Sequence, residues 1–159
     1  MRTVELLLDD ELEGAVRAVW SRLIQAGLPS LATHPHPTNR PHVTLAGAAA
    51  VPELDFSVLP LPVTLDGLIF FDGRLGMLVW RVVPDAALLA LQSAVWRVLD
   101  DPNPLHAPDV WVPHVSLARR VRPADRARVT DFLSGLRARR GWLVAARSYD
   151  TESRTVTRL

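Results

Sequence analysis

Two six-residue segments of the sequence are nearly identical: residues 41–46 read PHVTLA and residues 113–118 read PHVSLA. They differ at one position, where Thr44 in the first copy corresponds to Ser116 in the second. Each copy carries one histidine. In a chain of 159 residues, a repeat of this kind raises the question of whether the surrounding sequence is duplicated as well.

The sequence before each copy follows the same order. An apolar strand-like run comes first, then a segment whose apolar residues recur at helical spacing, then a proline-rich loop. The strands are predicted at 3–8 and 76–83, and the helices at about 10–26 and 84–100. This shared order predicts one α+β domain over 1–159, built as two similar lobes of antiparallel sheet with flanking helices, related by a pseudo-twofold axis across a central cleft.

The remaining elements are predicted from shorter patterns. Strands are expected at 63–71, 141–149 and 154–159, with a turn at 72–76. A short helix is expected at 52–59, and a third helix is expected to begin at Pro123.

Composition narrows the class of protein. With 48% hydrophobic and 22% charged residues, the chain is typical of a globular protein rather than a disordered one. A net charge of +1 does not favour wholesale binding to long nucleic acid, so an anionic substrate would be bound by local groups. All 18 basic residues other than histidine are arginines, which suggests a coding bias, although a guanidinium also grips phosphate well.

Cysteine content and the N-terminal sequence bear on the compartment. The chain has no cysteine, which excludes disulfides and thiolate metal sites. The first residues do not resemble a secretory signal, and no window approaches the roughly 20 apolar residues of a membrane span. We therefore expect a cytoplasmic protein with no membrane partner.

Alternation along a strand separates the repeated residues into two faces. His42 and Thr44 point to one side and Val43 to the other, and His114 and Ser116 repeat the polar side in the second copy. The apolar residues would anchor each strand in its lobe. The polar pairs would then face each other across the cleft.

Two imidazoles with neighbouring hydroxyls suit attack on phosphorus. A neutral histidine takes a proton from the attacking oxygen, a protonated histidine gives one to the leaving oxygen, and the hydroxyls bind the non-bridging oxygens. The scheme needs no metal or other cofactor, and we expect none. The alternative is a pair of ordinary strands whose histidines only form hydrogen bonds; this would suffice for a single copy, but the paired register argues against it.

The motifs HVTL at 42–45 and HVSL at 114–117 resemble those of the two-histidine (2H) phosphoesterase superfamily. With the segment at 65–82 and the strand ending at Tyr149, the chain is similar to the bacterial 2'-5' RNA ligase and RNA 2',3'-cyclic phosphodiesterase branch over nearly its full length. The resemblance implies a bilobal fold of two antiparallel sheets with flanking helices. It also implies opening of 2',3'-cyclic phosphates to 2'-phosphates, with reversible 2'-5' joining in some members.

Matched position by position, the resemblance implies roles for five residues. His42 would be the catalytic acid and His114 the catalytic base, Thr44 and Ser116 would bind the substrate phosphate, and Arg119 would grip it. Ser116 lacks the methyl group that stiffens a threonine side chain. The segment at 46–51 also lacks the bulkier aromatic and glycine run common in the family, so the substrate's identity does not transfer.

Other residues are weaker candidates, because their types have commoner structural uses. Large aromatic residues are more often core than base-stacking platforms, and loop histidines are more often exposed rim groups than metal ligands. The candidate stacking residues are Phe71, Trp80 and Trp111. The loop histidines are His34, His36 and His106, and the arginines read mostly as a solvated rim are Arg40, Arg120, Arg122 and Arg147.

The sequence leaves three functions open. The first is hydrolysis of a cyclic phosphate on an RNA end or a small cyclic nucleotide; the second is 2'-5' RNA ligation; the third is binding of an RNA end or nucleotide without catalysis. In each case we expect a monomer, with neither DNA nor a membrane as partner.

Overall fold

The computed structural model describes residues 1–34, 36–73 and 76–159. Within them the strands are β1 (Arg2–Leu8), β2 (His42–Ala48), β3 (Leu61–Phe71), β4 (Met77–Val82), β5 (His114–Ala118), β6 (Arg139–Asp150) and β7 (Thr155–Arg158). The helices are α1 (Asp10–Gln25), α2 (Ala86–Val98) and α3 (Arg126–Phe132). Short 3-10 turns cover Leu31–Thr33, Pro104–His106 and Pro123–Asp125. The predicted α+β class is confirmed.

The seven described strands form one antiparallel sheet in the order β2-β1-β6-β3-β4-β5, with β7 paired to β6. Its two halves, β2-β1-β6 and β5-β4-β3, are the two predicted lobes. The resemblance implied two sheets, but pairing of Leu61–Leu65 with residues 139–143 joins them into one. In chain order the first repeat contains β1, β2 and β3, and the second contains β4, β5 and β6. The last strand of each repeat pairs with the first strand of the other, since β3 pairs with β4 and β6 pairs with β1.

An irregularity in strand pairing repeats between the lobes. The register between β1 and β2 shifts so that Leu45 is skipped, and the register between β4 and β5 shifts so that Leu117 is skipped. These two leucines hold the same place in PHVTLA and PHVSLA. Because a bulge bends its strand and increases the local twist, the two motif strands are bent at corresponding points. The duplication therefore extends to the fine geometry of the backbone.

Both long helices begin at an aspartate that follows a strand. The Asp9 side chain accepts a hydrogen bond from the Leu12 backbone N–H, and Asp85 does the same for Leu88. A carboxylate at this position satisfies an otherwise unpaired N–H group and complements the helix dipole. Asp9 also accepts from the backbone N–H of Trp142 at 2.7 Å, so it ties the start of α1 to β6.

The apolar residues of the two motifs lie in one shared core. Val43, Leu45, Val115 and Leu117 are each 0% exposed. They belong to a single hydrophobic cluster that includes the inner faces of α1 and α2. Since burying a side chain of this size contributes about 1.5–3 kcal/mol, the motif strands are held firmly from their apolar side.

The helix predicted at 52–59 is wrong. Residues 51–56 have no regular structure and a turn follows at 57–58. The Asp55 side chain accepts a hydrogen bond from the Ser57 backbone N–H at 2.8 Å, a local arrangement that competes with helix formation. The turn predicted at 72–76 includes residues 74 and 75, which lie outside the described part of the chain. No helix of the described residues is long and apolar enough to cross a bilayer.

Candidate active site

The two histidine-bearing strands come together although they lie at opposite ends of the sheet order. β2 and β5 are the first and last strands of the hydrogen-bonded path, and they contact each other. The loop turn at Leu31–Thr33 packs on β5, and the turn at Pro104–His106 packs on β2. Each proline-rich loop therefore reaches across to the motif strand of the other lobe.

Two tryptophans bind the backbone of the opposite motif strand. Trp20 of α1 donates its indole N–H to the carbonyl oxygen of Ser116 at 3.1 Å. Trp111, in the second proline-rich loop, donates its indole N–H to the carbonyl oxygen of Thr44 at 3.0 Å. Gln92 of α2 adds a bond of 3.1 Å to the carbonyl of Leu45. These bonds fix the position of the motif residues from outside their own lobe.

The two histidines are anchored in the same way. The Nδ1–H of His42 donates to the carbonyl oxygen of Arg40 at 2.7 Å, and that of His114 donates to the carbonyl oxygen of Val112 at 2.7 Å. Because a carbonyl oxygen can only accept, Nδ1 carries the proton in both rings. Nε2 is therefore the atom of each ring that can gain or lose a proton.

The surroundings of His114 favour its neutral form. Burial lowers the pKa of His114 below its ordinary value, the hydrogen bond to Val112 opposes this, and the charges of His42 and His106 lower the pKa further. The ring also meets Phe71 edge to face, with 4.8 Å between ring centroids. A neutral imidazole with a free Nε2 is able to accept a proton.

His42 has a charged neighbour instead. Its Nε2 lies 3.4 Å from a carboxylate oxygen of Glu5 on β1. Glu5 is buried and also pairs with Arg147 of β6 at 2.8 Å. Glu5 was not among the predicted functional residues, although a glutamate within the apolar run at 3–8 is a visible signal in the sequence.

Thr44 and Ser116 lie on the same face of their strands as His42 and His114, because side chains two positions apart in a strand point to the same side. Thr44 and Ser116 are half-buried, as are His42 and His114, whereas the intervening valines are buried. The structure thus places both polar pairs on the exposed side of their strands. Their predicted role in binding phosphate stays a prediction.

Arg119 is held by the loop of the other repeat. Its Nη2 donates to Nε2 of His34 at 2.7 Å. Burial lowers the pKa of His34, and the charges of Arg119 and Arg120 lower it further. The bond requires an unprotonated Nε2 on His34, so the lowered pKa supports it. The predicted role of Arg119 in gripping the substrate phosphate stays a prediction.

The three candidate stacking residues differ in exposure. Phe71 is half-buried beside His114. Trp80 is 1% exposed and packs in the core, so its ring has no face free for a base. Trp111 is 8% exposed and uses its indole N–H to bind Thr44. Of the three, we retain only Phe71 as a candidate stacking residue.

Two expectations for rim residues require correction. Arg147 is 7% exposed rather than solvated, because it pairs with the buried Glu5. His106 is half-buried, and burial lowers its pKa. His34 and His36 are exposed as expected. Within the ranges the structure describes, no group of three or more His, Asp or Glu side chains is placed to hold a metal ion.

The fold and the paired histidine motifs define the class to which the chain belongs. The family profile described as the 2'-5' RNA ligase superfamily matches residues 8–146. The chain belongs to this superfamily, as its resemblance to two-histidine phosphoesterases had implied.

Two solved structures are similar to the chain. The structure of Kluyveromyces marxianus Usb1 with uridine monophosphate is 15% identical, with a TM-score of 0.48 over 99% of this chain and 97% of that one. The structure of Kluyveromyces marxianus Usb1 is 14% identical, with the same TM-score and coverage. No curated protein matches the chain significantly.

Proposed function

We propose that the protein hydrolyses 2',3'-cyclic phosphates, on RNA ends or small nucleotides, to 2'-phosphates without a metal ion. Membership of the 2'-5' RNA ligase superfamily supports an enzyme that acts on RNA. The observation that carries the proposal is the pair of matched imidazoles, one from each lobe, both anchored through Nδ1 to a backbone carbonyl.

The reaction needs one proton acceptor and one proton donor. Neutral His114 takes a proton from water as the water oxygen forms a bond to phosphorus. Protonated His42 gives a proton to the 3'-oxygen as its bond to phosphorus breaks. The two proton transfers balance, and a second exchange through solvent returns both rings to their starting state.

The hydroxyl residues and Arg119 stabilise the phosphate during this exchange. Thr44 and Ser116 donate to the non-bridging oxygens, where charge is redistributed in the transition state. Arg119 supplies a fixed positive charge beside them. Phe71, which contacts the His114 ring, offers a surface on which the base of the substrate stacks.

The direct test uses the purified protein with 2',3'-cyclic AMP and a short RNA that ends in a cyclic phosphate, with EDTA present. We expect 2'-phosphate products, loss of turnover in a double His42→Ala, His114→Ala variant, and a bell-shaped pH profile. Absence of turnover on a panel of such substrates, or full activity in the double variant, would contradict the proposal.

The same experiment separates the two other functions. Formation of 2'-5' linkages from suitably cut RNA would identify a ligase, which uses the same groups in the opposite direction. Binding without turnover, unaffected by loss of both histidines, would identify a non-catalytic binding module.

A further inference from the structure

The two lobes match in backbone but differ beside the histidines. The residue opposite the hydroxyl position of the motif is Glu5 in the first lobe and Val79 in the second. On the next strand, Arg147 lies opposite Glu5 and Ile69 lies opposite Val79. One lobe therefore carries a carboxylate and a guanidinium where the other carries two aliphatic side chains.

Glu5 is held by three neighbours while it is only 3% exposed. One carboxylate oxygen accepts a hydrogen bond from Nε of Arg147 at 2.8 Å. The other accepts from the Thr3 hydroxyl at 2.9 Å and lies 3.4 Å from Nε2 of His42. Arg147 is itself fixed by a bond of 2.9 Å to the carbonyl of Thr38.

The corresponding strands of the other lobe pair with aliphatic side chains at these positions. A buried ion pair is often no more stabilising than apolar side chains of similar size, because both charges lose their hydration. In the second lobe, Val79 and Ile69 occupy the positions that correspond to Glu5 and Arg147. A pair of aliphatic side chains is therefore compatible with this strand geometry. The contact of Glu5 that involves a proposed catalytic residue is the one with His42.

We propose that Glu5 is a positioning residue that holds the protonated ring of His42 and so makes His42 the proton donor of the pair. This inference rests on the proposed hydrolysis. Arg147 holds the carboxylate in place through the hydrogen bond of 2.8 Å from its Nε. Of the neighbouring charged residues, Arg40 is bound to Glu13, and His114 is the partner histidine on β5.

The test replaces the charge while keeping the shape. Glu5→Gln leaves an oxygen to accept from Arg147 and Thr3, and Glu53→Gln on the exposed loop after β2 is the matched control. We expect kcat above neutral pH to fall about tenfold and kcat below neutral pH to change little, because removing the neighbouring negative charge moves the alkaline limb of the pH profile to lower pH. KM for 2',3'-cyclic AMP should stay the same or fall.

A second readout needs no turnover. In the unliganded protein, the ring-proton NMR titration of His42 should move to lower pH in Glu5→Gln, while that of His114 moves less. If the wild-type protein turned over no substrate, the proposed hydrolysis would fail, and the titration would still decide whether Glu5 holds the His42 charge.

A second variant guards against misfolding. Glu5→Val combined with Arg147→Ile copies the aliphatic pair of the other lobe and leaves no buried charge unpaired, so it avoids the large destabilisation caused by removing one partner of a buried ion pair. Its remaining cost is the lost bond from Arg147 to the Thr38 carbonyl. It should reproduce both effects of Glu5→Gln. An even loss of kcat across all pH values, or an unchanged His42 titration in both variants, would overturn the proposal and leave Glu5 a structural residue.

Discussion

The side chains of the two motifs are equivalent in position but not in environment. His114 is half-buried and packs edge to face with Phe71, whereas Nε2 of His42 lies 3.4 Å from a carboxylate oxygen of Glu5. Two identical rings therefore lie in surroundings of different charge. A duplicated fold has thus acquired two chemically distinct histidines, because the residues that lie opposite Thr44 and Ser116 on β1 and β4 are Glu5 and Val79.

The hydroxyl groups should contribute mainly to the rate of reaction. Removing one donor to a developing oxyanion typically lowers kcat by about 10²–10³. We expect losses of this order from Thr44→Val and from Ser116→Ala, with little change in melting temperature, since both side chains are only half-buried. Steady-state kinetics on 2',3'-cyclic AMP would measure the loss in kcat. A change confined to KM would instead indicate that these residues bind the ground state only.

The lowered histidine pKa values should make stability depend on pH. Burial lowers the pKa of His114 and of His106 in the folded protein, so the unfolded chain binds protons more readily. Stability is then fully present above the unfolded value of about 6.5 and is lost as pH falls below it. We expect a lower melting temperature at about pH 5 than at about pH 7.5, measured by circular dichroism.

Variants identify the source of that pH dependence. His106→Leu should narrow the difference between the two melting temperatures, and the exposed His36→Gln is the control. A wild-type protein that melts at a higher temperature in acid than at neutral pH would contradict the assignment.

At the level of elements, the loops and helices of one repeat brace the motif strand of the other. Trp20→Phe and Trp111→Phe each remove one indole N–H and leave a strand carbonyl without its partner. We expect each to cost about 1–3 kcal/mol, which lowers the melting temperature by several degrees, and to reduce kcat. Trp142→Phe is the control, because Trp142 is 50% exposed. Unchanged melting in both variants would show that these bonds do not support the strands.

Elements with a strong local pattern were predictable from sequence. The strands and long helices follow from periodicity and from the aspartates that begin each helix. Alternation also placed the histidines and hydroxyls on one face. The same rule would have excluded Trp80, which alternates with Arg81 and pairs with the buried Val115. The short helix at 52–59 failed because a single side-chain bond to the backbone outweighed a weak pattern.

The contacts that distinguish the two histidines were not predictable. Glu5 and Arg147 meet across 142 positions of sequence, and only the placement of β6 beside β1 brings them together. The exchange of last strands between repeats is likewise a property of the sheet order, which local patterns do not encode.

For the whole molecule, the proposed site exists only when both lobes are docked. A phosphate that bridges the two motifs binds the folded state alone, so it should raise stability by about 2.7 kcal/mol at a hundredfold excess over its dissociation constant. We expect 2'-AMP to raise the melting temperature of the wild type, and the paired change His42→Ala with Thr44→Val to abolish the increase. Full protection in that variant would show that the anion binds one lobe only.

The bracing of β2 and β5 has a consequence for folding in a crowded solution. These strands are the two ends of the hydrogen-bonded path β2-β1-β6-β3-β4-β5, and an open strand edge invites pairing with another chain. In the docked molecule, carbonyls of Thr44, Leu45 and Ser116 are occupied by side chains from the opposite repeat. The contacts between the two lobes therefore also shield the outer edges of β2 and β5 from pairing with another chain. The residues proposed for RNA chemistry lie on these same two strands.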